Sequence, residues 1–373
     1  MSGIHKKIVV LPGDGIGPEV TSAATRLLIE CATAFGHQFD LQEMPFGGNA
    51  IDRCGEPLPA ETLAACREAD AILLGAVGGP KWDGLPIGKR AESGLLALRK
   101  GLGLYINFRP IRVREALIGI SPLRPEKVRG CNFEIIREFA GDIYFGAHEH
   151  STKNGIESAR DVAQYDEREV ERVARYAFER AGARRKRLAS VDKANVLATS
   201  VLWRKTVARV AKDYPGVSLE SLYVDNAAMQ VVLSPAQFDV IVTGNLFGDI
   251  LSDEAAALAG SIGLIPSMSR GDSQKGALYE PIHGSAPSLA GRDIACPLGS
   301  IYCASLMLKE SFGLLPESEW IESAADRVLD QGYRTADIAE PGSQSVGCSK
   351  MTELIRGEMT DSLLHAERYG WGV

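Results

Sequence analysis

Short apolar runs that alternate with helix-like segments constrain the fold of this chain more than any other feature. The strand-like runs occupy residues 7–11, 71–76, 104–110, 133–136, 188–192, 219–224 and 238–242. Between two of these runs, Asp166 and Glu169 fit a capping box that opens an amphipathic helix through residues 170–181. Strands and helices that alternate in this way predict an α/β architecture, and they exclude a β-sandwich or a helical bundle.

Several of the strand-like runs end in a single polar residue suited to binding or catalysis. Arg137, Lys193, Asp225 and Asn245 stand at or just after the ends of four of them, and Arg109 lies near the end of another. Because ligands of open α/β sheets collect at the carboxyl ends of the strands, these residues are candidates for one site.

The segment Thr243–Glu254 joins a β-branched strand to an alanine-rich, helix-forming stretch. If the helix begins near Leu246, Asp249 and Asp253 lie one turn apart on one face, where their charges repel. A shared cation would remove that repulsion. The alternative is a pair of solvated aspartates, which spacing alone favours because acidic helix faces are common. The position of the pair directly after a strand argues for the cation.

Three glycine-rich segments interrupt the pattern. Pro12–Glu19 follows the first strand but spaces its glycines as G-x-G-x-G-P, which is not the dinucleotide fingerprint G-x-G-x-x-G. Val77–Trp82 follows another strand, where a ligand could approach the backbone. Gly276–Pro287 is predicted to be a loop, and the following residues 301–312 are predicted to form a buried helix.

Composition limits the class of protein. A length of 373 residues predicts two domains, and the formal net charge of −7 gives no basic footprint for nucleic acid. Seven cysteines without CxxC spacing argue against a zinc site and against a disulfide framework. We find neither a secretory signal nor an apolar run of membrane-spanning length, so we expect a cytoplasmic protein without a membrane partner.

A resemblance to a known family covers nearly the whole chain. It rests on five segments: Leu11–Glu19, Arg137-Glu138 with Ile143–Gly146, Asp192–Asn195, Asn245–Asp253 and His283–Pro287. Together they resemble the β-decarboxylating dehydrogenases of the isocitrate/isopropylmalate family. The resemblance implies the two-domain α/β fold of that family, which is not a Rossmann fold. Residues 1–105 and 257–373 would form the large domain, and residues 106–256 a smaller inserted domain. It also implies a homodimer whose active sites are completed by residues of the partner.

The resemblance implies an oxidative decarboxylation. Glu92–Lys100 is similar to the substrate helix of the isopropylmalate-specific members, since Leu95 and Leu96 stand where isocitrate-specific members have polar groups. The expected reaction converts (2R,3S)-3-isopropylmalate to 4-methyl-2-oxopentanoate and CO2 with reduction of NAD, the third step of leucine biosynthesis. Two alternatives stay open. One is a related decarboxylating dehydrogenase that acts on tartrate, homoisocitrate or a larger alkylmalate, and the other is a catalytically retired relative that only binds ligands.

The resemblance also assigns roles to individual residues. The metal ligands for Mg²⁺ or Mn²⁺ would be Asp225, Asp249 and Asp253, with Asp225 contributed by the partner and also facing the substrate. The base on the C2 hydroxyl would be Lys193, again from the partner, and the proton donor to C3 would be Tyr144. The other substrate-binding residues would be Arg99, Arg109 and Arg137 for the carboxylates and, on the substrate helix, Leu95 and Leu96 for the isopropyl group, with Glu92 close to the nicotinamide. Structural ion pairs for the arginines, a buried aromatic role for Tyr144 and core packing for the leucines are the alternatives.

The same resemblance predicts the cofactor-binding residues. They are Gly79, Glu92, Asn245, His283, Gly284, Ser285, Ala286, Pro287, Ser288, Leu289 and Cys296. At the adenosine end this chain departs from the family, with Ser288 in place of an aspartate and Cys296 in place of an asparagine. We expect NAD to be retained with weaker binding or looser discrimination, and Arg292 is the nearest candidate partner for a 2′-phosphate. A smaller departure is Asp142, where glycine is commoner.

Overall fold

The computed structural model describes residues 3–273 and 275–369. Within them the chain forms two compact units. The first unit contains the residues up to Gly103, Ala116–Ile120 and the residues from Gly260 onward; the second contains Leu104–Glu115 and Ser121–Ala259. Both units combine strands with helices, so the α/β prediction is confirmed.

Fourteen strands are formed by the described residues. They are β1 (His5–Gly13), β2 (Gln38–Glu43), β3 (Ala71–Ala76), β4 (Ile106–Arg112), β5 (Asn132–Glu138), β6 (His148–Lys153), β7 (Ile156–Asp161), β8 (Arg187–Asp192), β9 (Ser218–Tyr223), β10 (Val240–Thr243), β11 (Pro266–Arg270), β12 (Ala277–Pro281), β13 (Tyr333–Arg334) and β14 (Gln344–Ser345).

Twelve α-helices are found in the same residues. They are α1 (Gly17–Phe35), α2 (Gly48–Cys54), α3 (Ala60–Glu68), α4 (Ala91–Gly101), α5 (Pro125–Val128), α6 (Glu167–Gly182), α7 (Ala198–Val210), α8 (Val224–Leu233), α9 (Asn245–Ala257), α10 (Leu298–Phe312), α11 (Leu315–Asp330) and α12 (Cys348–Tyr369).

The sheet of the first unit has the strand order β2-β1-β3-β12-β11. The first three pairings are parallel and the β11–β12 pairing is antiparallel. Helix α10 contacts α1, α11 and both β11 and β12, and every residue from Leu298 to Leu308 is buried. A helix that is apolar all round is expected at such a central position, which explains why this helix shows no polar face.

The sheet of the second unit has the strand order β4-β5-β10-β8-β9. Only the β4–β5 pairing is antiparallel, so β5, β10, β8 and β9 end at the same edge of the sheet. Helix α6 packs on β5, β8 and β10, and its capping box is confirmed: Asp166 accepts from the Glu169 N–H while the Glu169 side chain accepts from the Asp166 N–H.

Three features differ from the sequence-based predictions or were missed by them. Arg109 lies in the middle of β4, not at its end. The segment predicted as a loop between Gly276 and Pro287 begins with the strand β12, so that prediction is wrong for its first half. An exposed hairpin, β6–β7, turns at Asn154-Gly155, and both residues have positive φ, as a type I′ hairpin turn requires.

Among the residues that the structure describes, no helix combines the length and the apolar character needed to cross a bilayer.

Candidate active site

Helix α9 is the element on which the second unit's polar residues converge. It starts two residues after β10 ends, with Gly244 as the N-cap residue. Asp249 and Asp253 lie one turn apart, as their spacing predicts. The Asp249 side chain is partly buried, whereas that of Asp253 is 67% exposed. The two aspartates are therefore not equivalent, and the alternative of two freely solvated side chains does not hold for Asp249.

Arg137 connects strand β5 to helix α9. Its guanidinium is buried and donates from Nε (3.0 Å) and Nη2 (2.7 Å) to the Asn245 Oδ1 atom, while Nη1 donates to Asp249. The Asn245 amide is oriented by donation from its Nδ2 to the Gly141 carbonyl at 3.0 Å. The pairing of β5 with β10 places Arg137 in register with Thr243, two residues before Asn245. Parallel pairing thus brings the arginine to the start of the helix.

Tyr144 approaches the same carboxylate from a short 3-10 turn, Asp142–Tyr144. Its hydroxyl donates to the Asp249 Oδ2 atom at 2.6 Å, and its ring lies 5.3 Å from the Arg137 guanidinium carbon. Burial tends to raise the pKa of Asp249, but Arg137, Tyr144 and Arg109 outweigh it and the pKa is lowered. Burial and the Asp249 charge raise the pKa of Tyr144. The pair is therefore an ionised carboxylate beside a neutral phenol.

Arg109 provides the second cation of the cluster. From the middle of β4 it donates to Asn107 Oδ1 at 2.9 Å, to Ser252 Oγ at 2.6 Å and to Asp253 Oδ1 at 3.0 Å. Its Nη2 atom is 3.7 Å from Asp249. Arg109 pairs with Ile135, two residues before Arg137 on β5. It therefore reaches Ser252 and Asp253 in the second half of α9, whereas Arg137 reaches Asn245 at the start of the helix. The structure thus brings Arg109, Arg137, Tyr144, Asp249 and Asp253 together.

Lys193 and Asp225 form a separate pair. Lys193 follows β8, Asp225 lies in the first turn of α8, and the ammonium donates to the carboxylate. This bond lowers the pKa of Asp225. In the described residues of one chain, the carboxylates of Asp225, Asp249 and Asp253 do not all lie within 4.8 Å of one another. One chain therefore does not assemble the three predicted ligands by itself.

The chemistry of these side chains suits a hard divalent cation. Asp225, Asp249 and Asp253 offer carboxylate oxygens, which are the ligands that Mg²⁺ and Mn²⁺ prefer, and the cluster contains neither thiol nor imidazole groups. The exposed Asp253 carboxylate has room for a ligand beside its bond to Arg109.

The predicted substrate helix, α4, belongs to the first unit. Leu98 is buried, Leu95 is half-buried and Leu96 is 40% exposed, so the core explanation holds for Leu98 and not for Leu96. Arg99 Nη2 donates to Glu280 Oε1 at 2.8 Å, which is the ion pair offered above as its alternative role. Glu92 lies over the Gly78 backbone, where a Cβ atom would come 2.2 Å from its Oε1 atom.

The predicted cofactor loop follows β12 in the first unit. His283 Nδ1 donates to the Gly284 carbonyl at 2.9 Å, and burial lowers the pKa of His283, so the ring is neutral. Its Nε2 atom is buried and has no hydrogen-bond partner among the described residues. An unsatisfied buried acceptor is uncommon and fits a donor supplied by a ligand. Ser285 is tied to the first glycine loop, since Ile16 N–H donates to its carbonyl at 2.8 Å.

The two departures at the adenosine end differ in position. Ser288 is exposed. The Arg292 Nη1 atom donates to its carbonyl at 3.2 Å. Cys296 is buried, and burial raises the pKa of its thiol above the usual range. Gly79 has φ +157° and packs against Trp82 and Pro287, while Ala286 and Leu289 pack on Ile16 and Val20.

The hydrogen bonds that hold the two arginines were not predicted from the sequence. Asn245, predicted as a cofactor residue, fixes Arg137. Ser252 and Asn107, which were not predicted as site residues, hold Arg109. The strand-end pattern does place Arg137 and Asn245 together, because Arg137 lies at the end of β5 and Asn245 follows the neighbouring parallel strand β10. No comparable signal marks Ser252 or Asn107.

The profile of the family described as isocitrate/isopropylmalate dehydrogenase matches residues 7–355 of this chain. The chain belongs to that family. Among its relatives in the isocitrate/isopropylmalate dehydrogenase family, the 3-isopropylmalate dehydrogenase of Nitratidesulfovibrio vulgaris is 53% identical over 354 residues, which cover 94% of this chain and 99% of that protein. The 3-isopropylmalate dehydrogenase of Geobacillus kaustophilus is 52% identical over 356 residues, covering 95% and 96%.

Solved structures of the isocitrate/isopropylmalate dehydrogenase family are similar in fold to this chain. Isocitrate dehydrogenase from Methylococcus capsulatus matches with a TM-score of 0.83 at 34% identity, covering 95% of this chain and 99% of that chain. A β-decarboxylating dehydrogenase from Thermococcus kodakarensis matches with a TM-score of 0.79 at 36% identity, covering 97% and 98%. The family and fold class predicted from the sequence are confirmed. Membership implies a small-molecule substrate, a dinucleotide and a divalent metal.

The packing of Arg137 generates a first prediction. A Cβ atom on Gly248 would come 2.6 Å from Arg137 Cγ and 2.8 Å from its Cβ, which cannot move without moving the strand. We expect Gly248→Ala to cost about 1–3 kcal/mol and to displace Arg137, with a loss of kcat/KM. The matched control is Gly357→Ala in α12, where a Cβ atom would meet nothing within 4 Å. Equal turnover and melting temperature for the two variants would contradict this account.

Proposed function

We propose that this chain oxidises 3-isopropylmalate at C2 with a nicotinamide dinucleotide and releases one carboxylate as CO2, giving 4-methyl-2-oxopentanoate in leucine biosynthesis. The observation that carries the proposal is the cluster in which Arg109, Arg137 and Tyr144 surround the carboxylate of Asp249. Relatives more than 50% identical over nearly their full length are named for this substrate, which supports it.

The cluster and the Lys193–Asp225 pair together offer the groups that a decarboxylation of this kind needs. Arg109 and Arg137 offer planar paired donors for the substrate carboxylates, which a lysine cannot reproduce. Asp249, Asp253 and Asp225 would hold a divalent ion, Mg²⁺ or Mn²⁺, which would supply electrostatic stabilisation of negative charge on the C2 oxygen. We assign deprotonation of the C2 hydroxyl to Lys193.

Tyr144 suits the role of acid in the second half of the reaction. Its raised pKa keeps the phenol protonated at neutral pH, and its hydroxyl already lies at the edge of the carboxylate cluster. We assign to it the proton that C3 receives after CO2 has left. The hydrogen bond to Asp249 orients the hydroxyl before the substrate arrives, which reduces the entropic cost of the step.

Helix α4 is the proposed source of substrate selectivity. The exposed Leu96 and half-buried Leu95 present an apolar surface suited to the isopropyl group, and a charged substituent would lose its hydration there. In this proposal Glu92, which lies over Gly78, faces the nicotinamide. Arg99 binds a substrate carboxylate and gives up part of its hydrogen bonding to Glu280.

Turnover on a panel of substrates tests the function. With NAD and Mg²⁺ or Mn²⁺, we expect kcat/KM for 3-isopropylmalate to exceed that for isocitrate, homoisocitrate and tartrate by at least about tenfold. Leu96→Ala should narrow that margin without abolishing turnover. Preference for another diacid would overturn the substrate assignment, and no reduction of either dinucleotide with any of these diacids would indicate a relative that only binds ligands.

We also propose a homodimer with shared active sites. The three predicted ligands do not converge in one chain, so a second copy is needed to bring Lys193 and Asp225 to Asp249. Helices α8 and α9, which contact each other, leave Met229, Leu233 and Ile250 at least half exposed, and an apolar surface of this kind is typical of an interface. The exposed β6–β7 hairpin is also better explained by pairing, because isolated hairpins are marginally stable.

Mixing two inactive variants tests the shared site. Lys193→Ala and Asp249→Asn should each reduce turnover by orders of magnitude. In a hybrid dimer one site then receives both intact residues, so unfolding and refolding an equal mixture should restore about one quarter of wild-type activity. If each site were built from a single chain, every site would carry a defect and the mixture would stay inactive. Size-exclusion chromatography of each variant serves as the control for assembly.

For the dinucleotide we propose NAD, and we propose the cytoplasm as the compartment. The free thiols of all seven cysteines fit a reducing compartment. The buried His283 Nε2 atom would accept a hydrogen bond from the adenosine end, and the loop Ser285–Leu289 would cover it. Ser288 provides only a hydroxyl for the ribose, which neither binds two hydroxyls strongly nor repels a 2′-phosphate.

A substitution at Ser288 tests the adenosine assignment. Ser288→Asp adds a carboxylate that accepts from the ribose hydroxyls and repels a phosphate, so we expect NADH to bind about tenfold more tightly and NADPH more weakly. Nicotinamide fluorescence gives both dissociation constants without turnover. Ser288→Asn is the matched control for size without charge. An unchanged NADH to NADPH ratio in the aspartate variant would show that residue 288 does not read the ribose.

A further inference from the structure

Asp142 has an unusual backbone conformation for a residue with a side chain. Its φ of +69° lies in the left-handed region, where glycine is favoured and other residues are strained, although aspartate and asparagine are strained less than most. It opens the 3-10 turn that carries Tyr144, and its N–H donates to the Gln164 carbonyl at 3.0 Å. A strained residue beside a site calls for an interaction that its side chain alone can make.

That interaction is with the first turn of α9. The N-cap residue of this helix, Gly244, has no side chain to accept a hydrogen bond. Instead the Leu246 N–H donates to Asp142 Oδ2 at 3.0 Å, and the Asn245 N–H donates to the Tyr165 hydroxyl at 2.8 Å. Asp142 and Tyr165, distant in sequence, thus satisfy donors that a helix start leaves unpaired.

Gly244 leaves the space that this arrangement uses. A Cβ atom at Gly244 would lie 3.2 Å from the Tyr165 hydroxyl and 3.7 Å from Asp142 Oδ2. A conventional capping side chain would therefore compete with the two groups that replace it. The Asp142 carboxylate adds a favourable charge at the positive end of the helix dipole.

Tyr165 links the same point to strand β5. It is buried, and burial together with the neighbouring Glu138 raises its pKa, so its hydroxyl stays protonated and is shared with the Glu138 side chain. Glu138 also accepts from the N–H groups of Ala140 and Gly141, both at 2.9 Å. The end of β5, the turn with Tyr144 and the start of α9 are thus joined by one set of hydrogen bonds.

We propose that Asp142 is a positioning residue for the reaction: by capping α9 from the turn that carries Tyr144, it sets the Tyr144 hydroxyl against the Asp249 carboxylate. The catalytic part of this inference rests on the function proposed above. Asp142 touches neither substrate nor cofactor in this assignment. Its effect reaches Asp249 through the first turn of α9, and Tyr144 through two residues of backbone.

Three variants separate the capping bond from the backbone strain. Asp142→Gly relieves the left-handed strain and removes the acceptor, Asp142→Asn keeps an oxygen acceptor on a residue that tolerates this conformation, and Asp142→Ala loses the acceptor and keeps the strain. We expect amide hydrogen exchange at Leu246 to become about five- to tenfold faster in the glycine and alanine variants and to stay near wild type in the asparagine variant.

Two measurements report on the position of Tyr144 in the site. With 3-isopropylmalate, kcat should fall about tenfold or more in the glycine variant while KM for the dinucleotide stays unchanged, and the asparagine variant should recover most of kcat. Independently of turnover, a carbon-13 label at tyrosine Cζ, assigned with Tyr144→Phe, should shift in the glycine variant as the bond to Asp249 loosens.

The outcomes distinguish this inference from the proposed function. An active wild-type enzyme with unchanged kcat and an unchanged Tyr144 resonance in Asp142→Gly would overturn the positioning role, whether or not Leu246 exchanges faster. An inactive wild-type enzyme would overturn the proposed function. The Tyr144 resonance would then still decide whether Asp142 sets the position of Tyr144.

Discussion

The buried guanidinium of Arg137 is the constraint on which the rest of the second unit's site depends. A buried charge is tolerated only when it is paired and its donors are satisfied, and Arg137 meets this requirement through Asn245 and Asp249. Both partners lie on α9, so the helix must start opposite the end of β5. The position of Asp249, and with it that of Asp253 one turn later, follows from satisfying one arginine. Gly248 is needed because the arginine's stem passes where a side chain would be.

Much of this arrangement could be predicted from the sequence because parallel strands end at one edge. Arg137 lies at the end of β5 and Asn245 follows β10, and because these strands are neighbours in the sheet, the meeting of the two residues depends only on strand assignment and pairing. Arg109 could not be placed in this way. It lies in the middle of β4, and its approach to Asp253 depends on the antiparallel direction of β4, which no local pattern in the sequence records.

Other elements could not be predicted from the sequence, for different physical reasons. Strand β12 is short, follows Gly276 and ends in Pro281, so turn-forming residues dominated the prediction although its side chains are mostly buried. The β6–β7 hairpin has no buried face in the chain, so it lacks the alternation on which strand prediction depends. The Asn154-Gly155 turn was its only local signal. The capping of α9 by Asp142 joins residues about a hundred positions apart and is invisible to any spacing rule.

The charges of the cluster bear on how the proposed ligands would bind. Arg109 and Arg137 balance Asp249 and Asp253, so the cluster is close to neutral before any ligand arrives. A diacid alone would compete with the aspartates for the arginines, and a divalent cation alone would compete with the arginines for the aspartates. When both bind, their charges cancel. The cation draws the aspartates away from the arginines, which frees the arginines for the diacid, and the diacid likewise frees the aspartates for the cation. The arrangement therefore favours joint binding of the diacid and the cation over binding of either one alone.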